Sequence, residues 1–205
     1  MGQRPIAAGK SSYDLIDSEK LFSELRLAEE SVLLDVACGR GNYAVAASEH
    51  MGGRGLIHAF DLWEEGIELL REEISKRKIR NIRPGVADVG KKIPLSDQSV
   101  DTCLMATVLH DLRQDQTEKG ALREARRVLK PDGFLAVVEF KKIEGPPGPP
   151  VEIRIGPEEL ERILSPYGFR VTKTSDVGPY HYLSLFVKAD DAHPLPHARL
   201  EKNAL

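Results

Sequence analysis

Two hydrophobic periods alternate along this chain. SVLLDV (31–36), RGLIHAF (54–60), VDTCLMA (100–106) and FLAVVEF (134–140) are short apolar runs with few charges, and they predict buried strands. Helical spacing falls between them. In DLIDSEKLFSELRL an apolar stripe of Leu21, Phe22 and Leu25 follows Asp17, which predicts a helix with an aspartate N-cap. GNYAVAASEH predicts a small-residue helix able to pack closely on a sheet. WEEGIELLREEISKRK places Ile67, Leu70 and Ile74 on one face, with Gly66 weakening the helix locally. TEKGALREARRVL does the same with Leu122, Ala125 and Leu129. NIRPGV predicts a weaker strand, and DVGKKIPLSDQS an irregular loop. A KPDG turn sets off the fifth strand, and GPPGPP excludes both helix and central strand. PEELERIL restarts a helix with Pro157 in its first position and acids in its first turn. GFRVTKT and HYLSLFV close the series as strands.

This alternation predicts a single α/β domain over 15–189, with helices on both faces of one sheet. Residues 1–14 read as an arm, and 190–205 as a flexible tail with two prolines. One layer consumes the chain, so no second domain is expected.

Composition adds constraints. With 41% hydrophobic and 30% charged residues, a net charge of -3 and no extended basic face, nucleic acid is not an expected partner. Lys76–Arg77–Lys78 and Arg126–Arg127 sit among acids in helical segments and read as solvated faces. No apolar run approaches the roughly 20 residues of a membrane span, and MGQRPIAAGK has no apolar leader core. Membrane insertion is not expected. Cys38 and Cys103 alone make no disulfide framework, which points to the cytoplasm. The histidines at 50, 58, 193 and 197 have no metal-ligand spacing, so no metal site is expected.

The candidate chemistry lies in LLDVACGRGNY (33–43). Gly39 and Gly41 allow a tight strand-to-helix turn, and with Ala44 they can be forced into G-x-G-x-x-A, with Asp61 20 residues past Gly41. That pattern alone admits a nicotinamide dinucleotide, or no ligand at all. Asp35 shifts the balance. A pyrophosphate would meet its fixed negative charge, whereas an α-amino group or a sulfonium gains from it. The remaining turn N–H groups suit a small carboxylate. Asp61 ends the second strand and can accept from both hydroxyls of a ribose. Leu62 and Trp63 offer apolar surface for an adenine, while Asp88 and the Val89 backbone can address its polar edge. Taken singly, Asp61 is a helix cap and Asp88 a surface-loop acid. Three acids after three successive strands favour a ligand.

On these residues, together with IPLSDQSVD, VLHDL and RVLKPDGFL, the chain resembles the class I S-adenosylmethionine-dependent methyltransferases over about residues 15 to 188. The resemblance is nearest to the small-molecule group that includes the ubiquinone and menaquinone biosynthesis enzymes. It implies a Rossmann-like seven-stranded sheet of order 3-2-1-4-5-7-6 with strand 7 antiparallel, and S-adenosyl-L-methionine as cofactor. The methionine end would lie beside Asp35, Ala37, Gly39, Gly41 and Ala106, the ribose at Asp61, and the adenine by Leu62, Trp63, Asp88 and Val89. Ala37 stands where the family has a glycine, a small-for-small change that preserves the turn unless its φ is positive.

No catalytic constellation accompanies the turn. His110 and Asp111, after the fourth strand, are the candidate groups on the acceptor side, with loop packing as the bland alternative. His181 is a remoter candidate. Two cysteines make a poor arsenite site. The segment between VVEF and PEEL is too short for a large substrate cover. A cover must come from the arm, where Lys10, Ser12 and Tyr13 are the residues to examine, from GPPGPP, or from the second subunit of a homodimer. Tyr13 offers a ring and a hydroxyl at the site. The expected activity is methyl transfer to a small-molecule acceptor. A nicotinamide-dependent oxidoreductase and a non-catalytic cofactor-binding regulator are the alternatives.

Overall fold

A computed structural model describes Gly9 and residues 11–189. Most of the expected arm, Lys10 included, and the expected tail with His193 and His197 lie outside the described residues. One seven-stranded sheet runs in the order β3-β2-β1-β4-β5-β7-β6. Its strands are β1 (Val32–Val36), β2 (Leu56–Asp61), β3 (Ile82–Val86), β4 (Val100–Ala106), β5 (Leu129–Phe140), β6 (Phe169–Asp176) and β7 (His181–Lys188). The first five pair in parallel, and β7 is antiparallel to both β5 and β6. The expected order and the reversal at β7 are both present.

Strand periodicity divides the core into two layers. Leu34, Cys103, Met105, Leu135 and Val137 face one side, against α5 (Glu118–Val128) and α6 (Pro157–Leu164). Their neighbours Leu33, Leu104, Ala136 and Val138 face the other, against α1 (Ser18–Leu25) and α2 (Asn42–His50), with Leu70 of α3 (Glu64–Arg77). A sheet covered on both faces leaves no polar row, which is why the strands read as continuous apolar runs. Asp17 caps α1 by accepting from the Lys20 backbone N–H at 3.0 Å.

Two details depart from expectation. The KPDG segment does not precede β5 but lies within it. Val100 pairs with Leu129 and Thr102 with Phe134, so the extra residues are absorbed as a bulge, and Leu129 opens the strand instead of ending a helix stripe. A short helix, α4 (Leu109–Gln114), follows β4 where only a loop segment was anticipated. GPPGPP is wrapped around a side chain. The Arg154 guanidinium, 3% exposed, donates to the carbonyls of Lys141, Ile143, Gly145, Pro147 and Pro149, every second residue of the connector, at 2.6–3.1 Å.

The basic clusters are engaged by acids. Arg77 pairs with Glu73 and Glu49, and Arg127 with Glu124 and Asp97. Among the described residues no helix is long and apolar enough to cross a membrane, and both cysteines are free thiols.

Candidate functional site

The strand order reverses between β1 and β4, and a cleft opens beyond the carboxyl ends of the strands there. Counting its open mouth, the cleft holds about 1120 Å³ of empty space. Of the thirteen residues expected to bind cofactor or take part in the chemistry, ten stand in its wall. Asp35, Ala37, Gly39, Asp61, Leu62, Trp63, Asp88, Val89, Ala106 and Asp111 line the cleft, whereas Gly41, His110 and Tyr13 do not.

The acids arrive there by register. Asp35 is the penultimate residue of β1, flanked by Ala59 of β2 and Leu104 of β4, and Asp61 ends β2 opposite Val86. Asp35 is 1% exposed, and its Oδ2 has no hydrogen-bond partner. Burial, reinforced by the charge of Asp61 and partly opposed by the Ala44 backbone N–H, pushes its carboxyl up to about 8. Asp61 is buried too, and burial raises its pKa although backbone N–H groups oppose the shift. Its Oδ1 accepts from the Trp63 N–H and its Oδ2 from the Gly39 N–H, both at 2.7 Å, so the carboxylate ties the turn to the start of α3.

The turn is tighter than its composition suggested. Ala37 has φ 55°, the left-handed region, so the alanine there is strained and not a neutral replacement for glycine. The N–H groups of Cys38, Gly39 and Gly41 are taken by Phe60 O, Asp61 and Cys38 O, which narrows the expected donor set for a carboxylate. Gly41 turns away from the cleft toward α3; at φ 76°, a Cβ there would lie 2.5 Å from the Leu70 side chain. At Gly66 a Cβ would lie 2.3 Å from the Trp63 ring and 2.9 Å from the Gly39 carbonyl, so α3 packs directly on the turn.

Beyond the end of β4, His110 is 5% exposed and its ring is directed to β5. Nδ1 lies 2.8 Å from Glu139 Oε2, the His110 backbone N–H donates to Glu139 Oε1, and Nε2 is 3.6 Å from Asp111 Oδ1. Burial alone lowers its pKa, but the Glu139 hydrogen bond and charge, with Asp111, outweigh that and leave it raised. Asp111 reaches the cleft and His110 stands behind it. Tyr13 packs edge-on against Tyr43 and opens on a separate groove between α2 and α3. His181 is fully buried against Phe140; the Leu15 carbonyl lies near its ring, but neither ring nitrogen forms a well-aligned hydrogen bond. GPPGPP does not line the cleft; Ser11 and Ser12 do.

Residues that the sequence reading passed over complete the wall, among them Tyr43, Thr107, Leu112 and Thr117. Tyr43 lies in the first turn of the helix after the glycines, and Thr107 follows Ala106, so both stood one step from named positions. Leu112 lies on α4, which carried no clear periodic signal, and Thr117 is the residue that precedes α5.

A family described as "Methyltransferase domain" matches residues 33–133. The ubiquinone/menaquinone biosynthesis C-methyltransferase of Paraburkholderia xenovorans is 30% identical over 191 residues, 85% of this chain and 71% of the relative. Its namesake from Cupriavidus taiwanensis is 27% identical over 216 residues, 93% and 80% of the two chains. The crystal structure of a SAM dependent methyltransferase from Aquifex aeolicus superposes with a TM-score of 0.78 at 34% identity, over 86% of this chain and 92% of that one.

Proposed function

Because the chain belongs to the class I S-adenosylmethionine-dependent methyltransferases, we propose that its cleft transfers the cofactor's methyl group to a small organic acceptor. The protein is an S-adenosylmethionine-dependent methyltransferase. The observation that carries it is Asp35. A buried carboxylate with an unpartnered oxygen fits a ligand bearing a positive charge, and it opposes a pyrophosphate, which disfavours the nicotinamide alternative.

When bound, S-adenosyl-L-methionine supplies an activated methyl group and its own leaving group. The chain contributes binding, orientation and exclusion of water. Asp35 holds the positive end, with Ala37, Gly39 and Ala106 as the adjoining wall and Gly41 shaping the turn. Asp61 meets the ribose while bracing the turn. Leu62, Trp63 and Val89 cover the adenine, and Asp88 takes its amino group. Asp111 faces the acceptor, with His110 as a positioning residue behind it. Tyr13 contributes through its contact with Tyr43 and not by touching ligand.

The described surface pairs Arg77 and Arg127 with acids, which supports a small acceptor over nucleic acid. The free thiols of Cys38 and Cys103 support a cytoplasmic setting. The relatives named above are C-methyltransferases of quinone biosynthesis, so demethylated quinols are the first acceptors to assay. The test incubates the protein with isotopically labelled S-adenosylmethionine and either those quinols or a metabolite extract. Label in a small product supports the reading. Label only in macromolecules, or saturable binding of NAD in place of S-adenosylmethionine, overturns it.

A further inference from the structure

Thr107 is a β-branched residue at φ 53°, a conformation such side chains rarely adopt. It occupies the step between β4 and α4, and its direction determines where Val108, Asp111 and Leu112 meet the cleft. Strain at such a position persists only where its surroundings over-determine it. Two bonds do so here. The Thr107 N–H donates to Val138 O at 2.7 Å, and its Oγ1 shares a hydrogen bond with Ser12 Oγ at 2.8 Å.

Ser12 comes from 95 residues away in sequence and is 5% exposed. Its hydroxyl also bonds the Tyr43 hydroxyl, at 2.7 Å, on the first turn of α2. Beside it, Ser11 Oγ accepts from Asn42 Nδ2 at 3.1 Å and from the Tyr13 N–H at 3.2 Å, and the Tyr13 ring packs edge-on against Tyr43. The segment before α1 is therefore fastened to both sides of the β1–β4 reversal, with Ser11 and Ser12 in the cleft wall.

We infer that Ser12 is a positioning residue of the methyl-transfer site: it holds Thr107 in its left-handed turn and clamps the N-terminal segment across the cleft, so that cofactor exchange requires both Ser12 hydrogen bonds to break. The inference rests on the cleft being the cofactor site. It gives each of the three hydroxyls a role in retention of ligand, beyond the acids that recognise it.

Trp63 is the sole tryptophan and lies in the cleft wall, so its fluorescence reports S-adenosylhomocysteine leaving the purified full chain in stopped flow. Loss of one or two buried hydrogen bonds predicts dissociation about tenfold faster in Ser12→Ala. Ser12→Thr, which keeps the hydroxyl, restores the rate. Thr107→Val removes the same bond from the other end and serves if Ser12→Ala does not fold. The Ser12→Ala, Thr107→Val double variant should be at most about twofold faster than Ser12→Ala alone, because Ser12→Ala already deletes the bond that Thr107→Val removes. Without ligand, amide exchange at Leu15 and Ile16 should quicken in Ser12→Ala while the strands of the sheet keep their protection. Unchanged dissociation in both single variants, or fully additive effects in the double, overturns the inference. Wild-type protein that does not bind S-adenosylhomocysteine overturns the cofactor reading as well, so the two failures are told apart.

Discussion

Asp35 carries its charge at a cost until a cation arrives. Its pKa rises from 3.8 to about 8 on folding, so the folded protein binds the extra proton between those values, and stability without cofactor falls as pH climbs through that window. Asp35→Asn should therefore raise the melting temperature of the ligand-free protein at pH 8 and leave it little changed at pH 4. In the same variant S-adenosylmethionine affinity should fall by about tenfold to a hundredfold, the loss of one charge-assisted bond, in calorimetric titration. Asp61 behaves differently because both its oxygens already accept backbone N–H groups. Asparagine can accept at only one of them and would point its own donors at the other. Asp61→Asn should thus weaken cofactor binding at least as much as Asp61→Ala, and differential scanning calorimetry should show it no more stable. The acids were legible in the sequence because position after a strand is a local property. The left-handed φ of Ala37 was not, since an alanine gives no sign of the dihedral it occupies.

At the scale of elements, α3 shows how a helix can be shaped by what it rests on. Propensity alone makes Gly66→Ala stabilising by about 1 kcal/mol. The contacts reverse that sign, because the new methyl would press on the Trp63 ring and on the Gly39 carbonyl, a backbone atom with little room to yield. Gly66→Ala should cost about 1–3 kcal/mol in urea unfolding and weaken cofactor binding, since the helix is displaced from the turn. The long helices and the apolar strands were readable from period alone. The shortness of α4 hid it, and the bulge of β5 hid its true start, because KPDG has turn composition even where the pairing continues through it. Glu139 was missed for another reason. Its partner His110 lies 29 residues away, and nothing local in VVEF distinguishes a buried acid that holds a histidine from one at a strand edge.

For the whole molecule, the order of the sheet followed from the resemblance, while its acid response follows from a side chain that the sequence left undecided. His181 is fully buried, and burial, reinforced by the charges of Lys141 and Arg154 and only partly offset by the Leu15 carbonyl, lowers its pKa from 6.5 to about 4. The unfolded chain then binds a proton that the folded one refuses, so stability is complete above pH 6.5 and declines as pH falls toward 4. His181→Phe should flatten that decline, giving a smaller drop in melting temperature between pH 7 and pH 5 than in the wild type; an equal drop would assign the acid limb to other groups. The Asp35 window runs in the opposite direction, so cofactor binding and pH should be varied together. The connector after β5 has a further consequence. A Pro- and Gly-rich stretch between two elements resembles a protease-sensitive hinge. Here the alternate carbonyls that a protease must engage already point at Arg154, and cleavage requires that set of bonds to open together. The segment with the composition of a linker should be among the last to be nicked.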